Sequence, residues 1–434
     1  MIPESTRDTA LVLGGGGAKG SYEIGVIEAL ERLNIHAGSV YGVSVGALNA
    51  ALYAQHALEQ ADRLWSQLRL DDLVNEESLS LAEAAENLFD HPEKLVGFLS
   101  RYSKNKGIDI SPYESLLRTA VDEDAVRRSD VRFGLTATRV SGLTLTEKPI
   151  EEMKEGQLVD WLLASSACFP VFPVRTIDKE GYIDGGFCDN VPVSMALRAG
   201  ARHVIAADIG KHRSHACYDR RPNVTYIRAS HPIGGLMTFD PERTAWNRKL
   251  GYLDTLRAFG LLRGFKYAFD ADDAGASSDR ARAFTVALSR MEAGLRPSHA
   301  VSLGAKDRAP FFTLLEEEMG TSCGAVDYFL RACELAAETV RLDPTRVLTL
   351  DSLSAQLASL LPFEHAKTLS ESLVGGHIGA LFSRPQIDRG LAVTCLYLLM
   401  KKRGMDFPLA SYAAGSFPRE FVCALALTFL LPEA

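Results

Sequence analysis

The sequence predicts an α/β domain with a mostly parallel central sheet, followed by an all-helical remainder. Over roughly the first two hundred residues, short β-rich runs alternate with helical stretches, the pattern of strands joined by crossover helices. Two glycine-rich turns in this region each follow a strand and precede a helix. From about Asp240 onward the strand signals stop. The chain therefore divides into two parts of different fold class.

The first elements form one βαβα unit. They are a strand at Thr9–Leu13, a helix at Gly20–Leu33, a strand at Val40–Val43 and a helix at Val45–Ala57. Both strands are short apolar runs, as expected for strands that are buried on both faces. Ile24, Ile27 and Leu30 stand at helical spacing, which predicts one apolar face on the first helix.

The remaining elements of the first part follow from the same two patterns. Further strands are predicted at Val131–Val140, Leu143–Thr146, Tyr182–Asp184, His203–Ile209 and Val224–Ile227. Further helices are predicted at Leu58–Leu70, Leu81–Tyr102 and Gln157–Ser166. The stretch between about residues 70 and 129 has no strand signal, so we expect a helical insertion within the first domain.

A chain of 434 residues is longer than one hydrophobic core usually supports, which favours two domains. We place them at 1–270 and 271–434, because Asp270–Asp279 is small, polar and acidic, as linkers are. The same segment begins like a calcium loop, but Ala281 occupies the twelfth position, where such loops carry a bidentate glutamate. We therefore expect no calcium there.

Composition and charge exclude several classes of protein. With 47% apolar and 24% charged residues, the chain has the profile of a soluble globular protein. The formal net charge of −8 argues against nucleic-acid binding, which needs a basic excess. Between Arg198 and Asp270 there are 13 Lys and Arg against 6 Asp and Glu, a local excess that permits peripheral contact with anionic lipid.

The sequence also bears on location. The longest apolar runs, Gly390–Met400 and Phe421–Leu431, have eleven residues each, too few to span a membrane. Glu4, Arg7 and Asp8 lie where a signal peptide would be apolar, so we expect no Sec export, which leaves Sec-independent secretion open. The seven cysteines are scattered and include no CxxC pair, which indicates free thiols in a cytoplasmic protein without structural zinc.

Gly14–Gly20 (GGGGAKG) lies between the first strand and the first helix, where successive backbone N–H groups can bind an anion. The anion is either a phosphate or a transient oxyanion. A dinucleotide site requires an acidic residue at the end of the next strand, and Val40–Val43 ends instead at Ser44. A P-loop requires Ser or Thr after Lys19, where Gly20 stands.

Gly42–Gly46 has the form G-x-S-x-G between a strand and a helix, the setting of a nucleophile elbow. Capping of the second helix by Ser44 is the simpler interpretation of this motif alone. However, neighbouring parallel strands would bring the elbow and the glycine loop to one edge of the sheet. A carbonyl attacked by Ser44 would then have its oxygen beside the loop amides, which favours acyl-transfer chemistry.

The base that activates Ser44 has two candidates. Asp208 and His231 complete the Ser, Asp, His order of an α/β-hydrolase, but in that fold several strands precede the elbow and here only one does. Asp184 is the better candidate, because it stands at a strand end that runs into Gly185 and Gly186.

Three motifs in one order resemble the patatin-like phospholipase family. They are GGG-x-K/R-G at Gly15–Gly20, G-x-S-x-G at Gly42–Gly46 and D-G-G at Asp184–Gly186. Ala164–Ala167 followed by Phe169-Pro170, Asn190–Pro192, and Phe239–Pro241 leading to Gly251-Tyr252 also look like family features. The likeness covers roughly residues 9 to 265 and does not account for the chain beyond about 270.

The resemblance implies a patatin-like three-layer domain and a Ser–Asp dyad without histidine, metal or cofactor. Asp184 would take the Ser44 proton directly and later activate water. Gly15, Gly16 and Gly17 would form the oxyanion hole. Lys19, Gly42, Gly46, Gly185 and Gly186 would support these groups, although Lys19 is equally well explained as a solvated helix-start residue. The substrate would be a phospholipid or another acyl-ester lipid.

The helical segments suggest two further expectations. An acyl site needs apolar cover, and Leu88, Phe89, Leu95 and Phe98 of the insertion could form a lid. The helices beyond residue 270 would then form a separate layer that could bind a protein partner. Two alternatives stay open, a catalytically weak scaffold whose helical domain binds a protein partner and a Ser-Asp-His esterase of the α/β-hydrolase type.

Overall fold

The chain forms two compact units, Met1–Phe259 and Gly260–Ala434, in the computed structural model. The residues that the structure describes are 7–75, 108–169, 171–210, 217–218, 221–295, 310–317, 319, 323–372, 388–404, 413–414 and 416–431. The boundary lies between Phe259 and Gly260, about eleven residues before the predicted division after residue 270.

A mixed, mostly parallel sheet is the centre of the first unit. Its described strands are β1 (Thr9–Leu13), β2 (Ser39–Val43), β3 (Arg132–Arg139), β4 (Thr144–Pro149), β5 (Arg175–Ile177), β6 (Glu180–Asp184), β7 (His203–Asp208) and β8 (Val224–Arg228). Their order is β5-β6-β3-β2-β1-β7-β8, with β4 also paired to β3. Strands β3, β2, β1, β7 and β8 run parallel, whereas β4, β5 and β6 pair antiparallel.

Helices surround this sheet. Those described in the first unit are α1 (Ser21–Arg32), α2 (Val45–Ala54), α3 (Leu58–Gln67), α4 (Ser111–Ala120), α5 (Glu123–Arg128), α6 (Leu158–Ser165), α7 (Val193–Arg198) and α8 (Pro241–Ala258). All residues of β1 and β2 are buried, because each strand has a strand on either side and helices over its faces. The predicted α/β class with a mostly parallel sheet is confirmed.

Two elements of the first unit are absent from the sequence prediction. The strand β5 has only three residues, and α7 has six, so neither provides enough positions for a clear hydrophobic period. The insertion between residues 70 and 129 contains α4 and α5 in its described part. The predicted helix Leu81–Tyr102, and with it the proposed lid residues Leu88, Phe89, Leu95 and Phe98, lies outside the described residues.

The second unit is dominated by helices, as expected. Its described helices are α9 (Ala271–Ala276), α10 (Ser278–Leu295), α11 (Pro310–Glu316), α12 (Ala325–Thr339), α13 (Leu350–Leu360), α14 (Phe363–Ser372), α15 (Arg389–Arg403) and α16 (Pro418–Leu430). Three short strands, β9 (Leu262–Arg263), β10 (Ala268–Asp270) and β11 (Val347–Leu348), form a small additional sheet. The expectation of an all-helical remainder is corrected by this sheet, whose strands are too short to show alternation.

The residues that follow Phe259 belong to the second unit because hydrogen bonds hold them to one of its helices. Oε1 of the buried Glu334 on α12 accepts hydrogen bonds from the N–H groups of Phe265, Lys266 and Tyr267 at 2.7, 2.9 and 3.0 Å. The predicted linker at 270–279 is also wrong. Asp270 caps α9 by accepting hydrogen bonds from the N–H groups of Asp272 and Asp273, so this acidic stretch begins a helix. No helix in the described part of the chain is both long and apolar enough to cross a membrane.

Candidate active site

The glycine loop follows the end of β1, which lies between β2 and β7 in the sheet. The N–H of Gly14 donates to Ala207 O on the neighbouring β7 at 3.1 Å, and the N–H of Ala18 donates to Leu236 O at 2.8 Å. Gly17 has φ +57°, and a Cβ on this residue would overlap Leu236 O. The loop is thus held at both ends, and its tight turn requires glycine at position 17.

The three predicted oxyanion donors are not equivalent. The N–H of Gly15 donates to Asn190 O at 3.1 Å, and Asn190 Nδ2 donates back to Gly15 O at 3.0 Å. Gly15 therefore fastens the loop to the Asn190 turn, and its assignment as an oxyanion donor is corrected. The N–H groups of Gly16 and Gly17 have no acceptor among the described residues, so these two amides can bind a developing negative charge.

A buried polar network lies beneath the loop. Asn49 Nδ2 donates to Glu23 Oε2 at 2.8 Å and to Gly20 O at 3.0 Å, while Trp65 Nε1 donates to Asn49 Oδ1 at 2.8 Å. Glu23 is completely buried, and this burial raises the pKa of its carboxyl well above the ordinary value. The sequence analysis missed this network, because neither Glu23 nor Asn49 stands in a recognisable motif.

Ser44 occupies the sharp turn between β2 and α2. Its φ of 54° and ψ of −128° are rare for a residue with a side chain, which is the strained geometry of a nucleophile elbow. Gly42 and Gly46 make the turn sterically feasible. A Cβ on Gly42 would overlap Gly46 O, and a Cβ on Gly46 would overlap Leu13 O.

Ser165 holds this turn in place. Its hydroxyl accepts a hydrogen bond from the Ser44 N–H at 2.8 Å and donates one to Thr136 O on β3 at 2.7 Å. Ser165 is fully buried at the end of α6. In the sequence, Ser165 belongs to the A-S-S-A run, and nothing in that pattern predicts its contact with Ser44.

Asp184 comes to Ser44 through the sheet. On β3, Thr136 pairs with Val43, the residue before Ser44, and the adjacent Ala137 pairs with Asp184 at the end of β6. The ends of β2 and β6 therefore lie on either side of β3, opposite two adjacent residues of that strand. The carboxylate of Asp184 accepts a hydrogen bond from the Gly186 N–H at 2.7 Å, and it lies near enough to the Ser44 side chain for that hydroxyl to lower its pKa.

Burial controls the acidity of Asp184. The buried position raises the pKa of its carboxyl to about 6, against the opposing effect of the hydrogen bonds from Ser44 and Gly186. The carboxylate is therefore a stronger proton acceptor than one in water, yet it is mostly ionised at neutral pH. These are the properties that a general base needs.

The residues of the alternative triad have other partners. Asp208 Oδ2 accepts a hydrogen bond from Arg228 Nε at 3.2 Å, and Asp208 Oδ1 accepts one from the Gly210 N–H at 3.1 Å. Nδ1 of His231 lies 3.3 Å from the hydroxyl of its neighbour Ser230. The side chain of Ser44 lies close to Asp184 instead, so the structure does not favour the α/β-hydrolase arrangement.

Tyr113 and Cys168 lie near the carboxyl of Asp184, and the pKa of both groups is raised by burial and by the charge of that carboxylate. Tyr113, from the described end of the insertion, packs against Phe172 with ring centroids 5.9 Å apart and places its hydroxyl 3.2 Å from Ser166 Oγ. Burial raises the pKa of the Cys168 thiol, and the charge of Asp184 raises it further. Within the described residues, no group of three His, Cys, Asp or Glu side chains is arranged to hold a metal ion.

Comparison with known proteins finds similarity in the part of the chain that contains this site. Residues 11–197 match a family model described as patatin-like phospholipase. Lysophospholipase NTE1 of Scheffersomyces stipitis is 25% identical over 206 residues, which are 48% of this chain and 12% of that protein. Human patatin-like phospholipase domain-containing protein 6 is 29% identical over 203 residues, which are 46% of this chain and 13% of that protein.

The match is therefore to part of each relative, and the chain spans about an eighth of the length of these two curated proteins. Among solved structures, VipD from Legionella pneumophila aligns over 98% of this chain and 91% of its own at a TM-score of 0.37 and 14% identity.

Proposed function

We propose, from the premise that this chain belongs to the patatin-like phospholipase family, that it is a serine acyl hydrolase of membrane lipids with Ser44 and Asp184 as its catalytic dyad. One observation carries the proposal: the sheet places Ser44, on a strained elbow, beside the buried carboxylate of Asp184, whose pKa is raised to about 6 by burial and lowered by the Ser44 hydroxyl. A nucleophile beside a base of matched pKa is the minimum needed for covalent acyl transfer.

The reaction follows from these contacts. Ser44 Oγ attacks the ester carbonyl while Asp184 accepts its proton, and the carbonyl oxygen becomes an oxyanion facing the Gly16 and Gly17 amides. When the ester C–O bond breaks, the leaving alkoxide takes the proton from Asp184, and an acyl-serine remains. Asp184 then takes a proton from water as that water attacks the acyl-serine, and it returns this proton to Ser44 as the fatty acid leaves.

The lipid substrate is supported by two observations. The names of the relatives, lysophospholipase and patatin-like phospholipase, both refer to phospholipid esters. Tyr113, whose pKa is raised by burial and by the charge of Asp184, packs against the buried Phe172, so apolar surface lies near the dyad, as an acyl chain requires. The substrate class is therefore an acyl ester of a glycerophospholipid or lysophospholipid.

The test is an assay of fatty-acid release from phospholipid and lysophospholipid dispersions in the presence of a chelator. Turnover by the wild-type chain that disappears in Ser44→Ala is the expected result. If the folded wild-type chain hydrolyses no acyl ester, the proposal is wrong and the scaffold alternative is favoured, in which the helices of the second unit bind a protein partner.

The pH dependence of hydrolysis is a second expectation. A base must be ionised to accept a proton, so kcat should be constant above about pH 7 and fall about tenfold per unit below the Asp184 pKa of about 6. The measurement is kcat between pH 4.5 and 8. Because a histidine base would titrate near 6.5, the profile is repeated at several temperatures. A midpoint that moves strongly with temperature, as that of imidazole does, would exclude Asp184 as the titrating group.

Ser165 is expected to act as a positioning residue. In Ser165→Ala the Ser44 N–H loses its acceptor, so the elbow relaxes and kcat falls about tenfold or more while KM changes little. Thr255→Val is the matched control, because it removes another buried hydroxyl that donates to a carbonyl, Gly251 O, at 2.7 Å. A similar fall in kcat in both variants would mean that Ser165 contributes only to stability.

A further inference from the structure

The first unit concentrates its exposed apolar side chains in one place. Among its described residues, the exposed large hydrophobic side chains are Val140, Leu143, Phe169, Val174 and Phe187, with exposed fractions of 42, 65, 42, 41 and 53%. Scattered exposed hydrophobic residues are normal on a protein surface, but a contiguous group usually marks a binding surface. We call this group the apolar rim.

Contacts around β6 link four of the five rim residues, and the Leu143 N–H donates to Val140 O at 3.4 Å. The N–H of Val140 donates to Gly181 O at 2.9 Å, and the side chains of Val140 and Val174 both lie over the open Cα of Gly181. On the other side, Leu143 O accepts a hydrogen bond from Cys188 Sγ at 3.4 Å, which brings Leu143 beside the Phe187 turn.

The rim also borders the dyad. Phe187 ends the short 3-10 turn Gly185–Phe187 that begins directly after Asp184. Phe169 lies two residues beyond Ala167, whose carbonyl accepts the Asp184 N–H at 2.9 Å. The two phenylalanines therefore belong to the two loops that hold Asp184, and both side chains are exposed.

The charges next to the rim are of both signs. Arg139 precedes Val140, and Lys179 and Glu180 stand at the β5–β6 turn; all three are exposed. Such a mixed border does not attract one sign of partner, so apolar contact rather than charge would drive association. A surface of this kind fits a zwitterionic lipid interface better than an anionic one.

We propose that the apolar rim docks the protein onto the surface of a zwitterionic phospholipid bilayer. The proposal rests on the lipid hydrolase function, because an acyl chain that reaches Ser44 through water would expose its whole apolar surface on the way. With the rim seated among the headgroups, the two loops that hold Asp184 face the lipid, and an acyl chain can pass from the bilayer towards Ser44.

The test uses the 434-residue chain and two rim variants that lie away from the Asp184 loops, Leu143→Ser/Val174→Ser and Val140→Ser. Binding is measured by sedimentation with phosphatidylcholine vesicles, and hydrolysis is measured on the same vesicles and on a soluble short-chain p-nitrophenyl ester. Val286→Ser and Leu360→Ser, which alter similarly exposed residues at 50 and 52%, are the controls.

Both rim variants should bind and hydrolyse vesicles at least about tenfold less well than wild type, with turnover of the soluble ester retained and the controls unchanged. Wild-type vesicle binding by both rim variants would overturn the proposal. It would also be wrong if the wild-type chain bound only anionic vesicles and released them at high salt, because charge would then hold the membrane. If wild-type protein binds vesicles through the rim but cleaves no ester, the docking surface stands and the proposed function fails.

Discussion

Replacing Ser44 by alanine is expected to lower kcat for lipid hydrolysis by about 10⁴-fold or more, because the acyl-enzyme can no longer form. Replacing Asp184 by asparagine should lower it by about 10²- to 10⁴-fold, since the amide keeps the shape of the side chain but cannot accept the Ser44 proton. The double variant should be no worse than Ser44→Ala, because the two groups act as one unit. Fatty-acid release under saturating substrate measures all three.

Covalent labelling separates loss of chemistry from loss of fold. A fluorophosphonate should label the wild-type chain at Ser44, leave Ser44→Ala unlabelled and react slowly with Asp184→Asn, while all keep the same circular dichroism. His231→Gln is the control for the histidine alternative and should retain wild-type kcat. Full activity in Asp184→Asn, or its loss in His231→Gln, would contradict the dyad.

The second large effect concerns the glycine loop. Gly17→Ala should lower kcat by about 10²- to 10³-fold, the loss that follows removal of an oxyanion donor. Gly17 has φ +57°, and a Cβ there would overlap Leu236 O, so the loop must shift and the Gly16 and Gly17 amides lose their common direction. The substrate binds through its acyl chain, so KM should change much less than kcat.

Gly200→Ala provides the matched control. Gly200 also has a positive φ, +91°, but a Cβ there would have no atom within 4 Å. Its replacement should cost about 1 kcal/mol of stability through backbone strain and leave kcat unchanged. If Gly17→Ala lowers only the stability of the protein, as is expected for Gly200→Ala, and leaves kcat unchanged, then the Gly16 and Gly17 amides do not bind the oxyanion.

Much of the candidate site could be predicted from short stretches of sequence. The β1–glycine loop–α1 and β2–Ser44–α2 units are encoded locally, because an apolar run dictates a buried strand and small residues permit the turn that follows. Gly42 and Gly46 show this directly, since a side chain at either would collide with backbone. The strand end before Gly185 and Gly186 favours Asp184 as the partner, and the resemblance to a family agrees with it.

The predicted domain boundary is wrong because it rests on local composition alone. The acidic stretch 270–279 has the residues of a linker, but small and acidic residues are also those that cap and begin helices. Asp270 binds the first N–H groups of α9, whereas the real division comes just after Phe259. That position is set by Glu334, some seventy residues later, which binds three successive amides of the 265–267 turn.

The sequence by itself determined the fold class of the first unit, the elbow and the anion-binding loop, because each depends on residues within one turn or one strand. Only the tertiary structure decided which distant residues these parts contact. The pairing of β3 with both β2 and β6 brings Asp184 to Ser44 across 140 positions of chain. Likewise, the backbone oxygen of Asn190 accepts a hydrogen bond from the Gly15 N–H, and the hydroxyl of Ser165 accepts one from the Ser44 N–H. Such partners are chosen by the geometry of the folded sheet, because a hydrogen bond depends on distance in space and leaves no period or motif in the sequence.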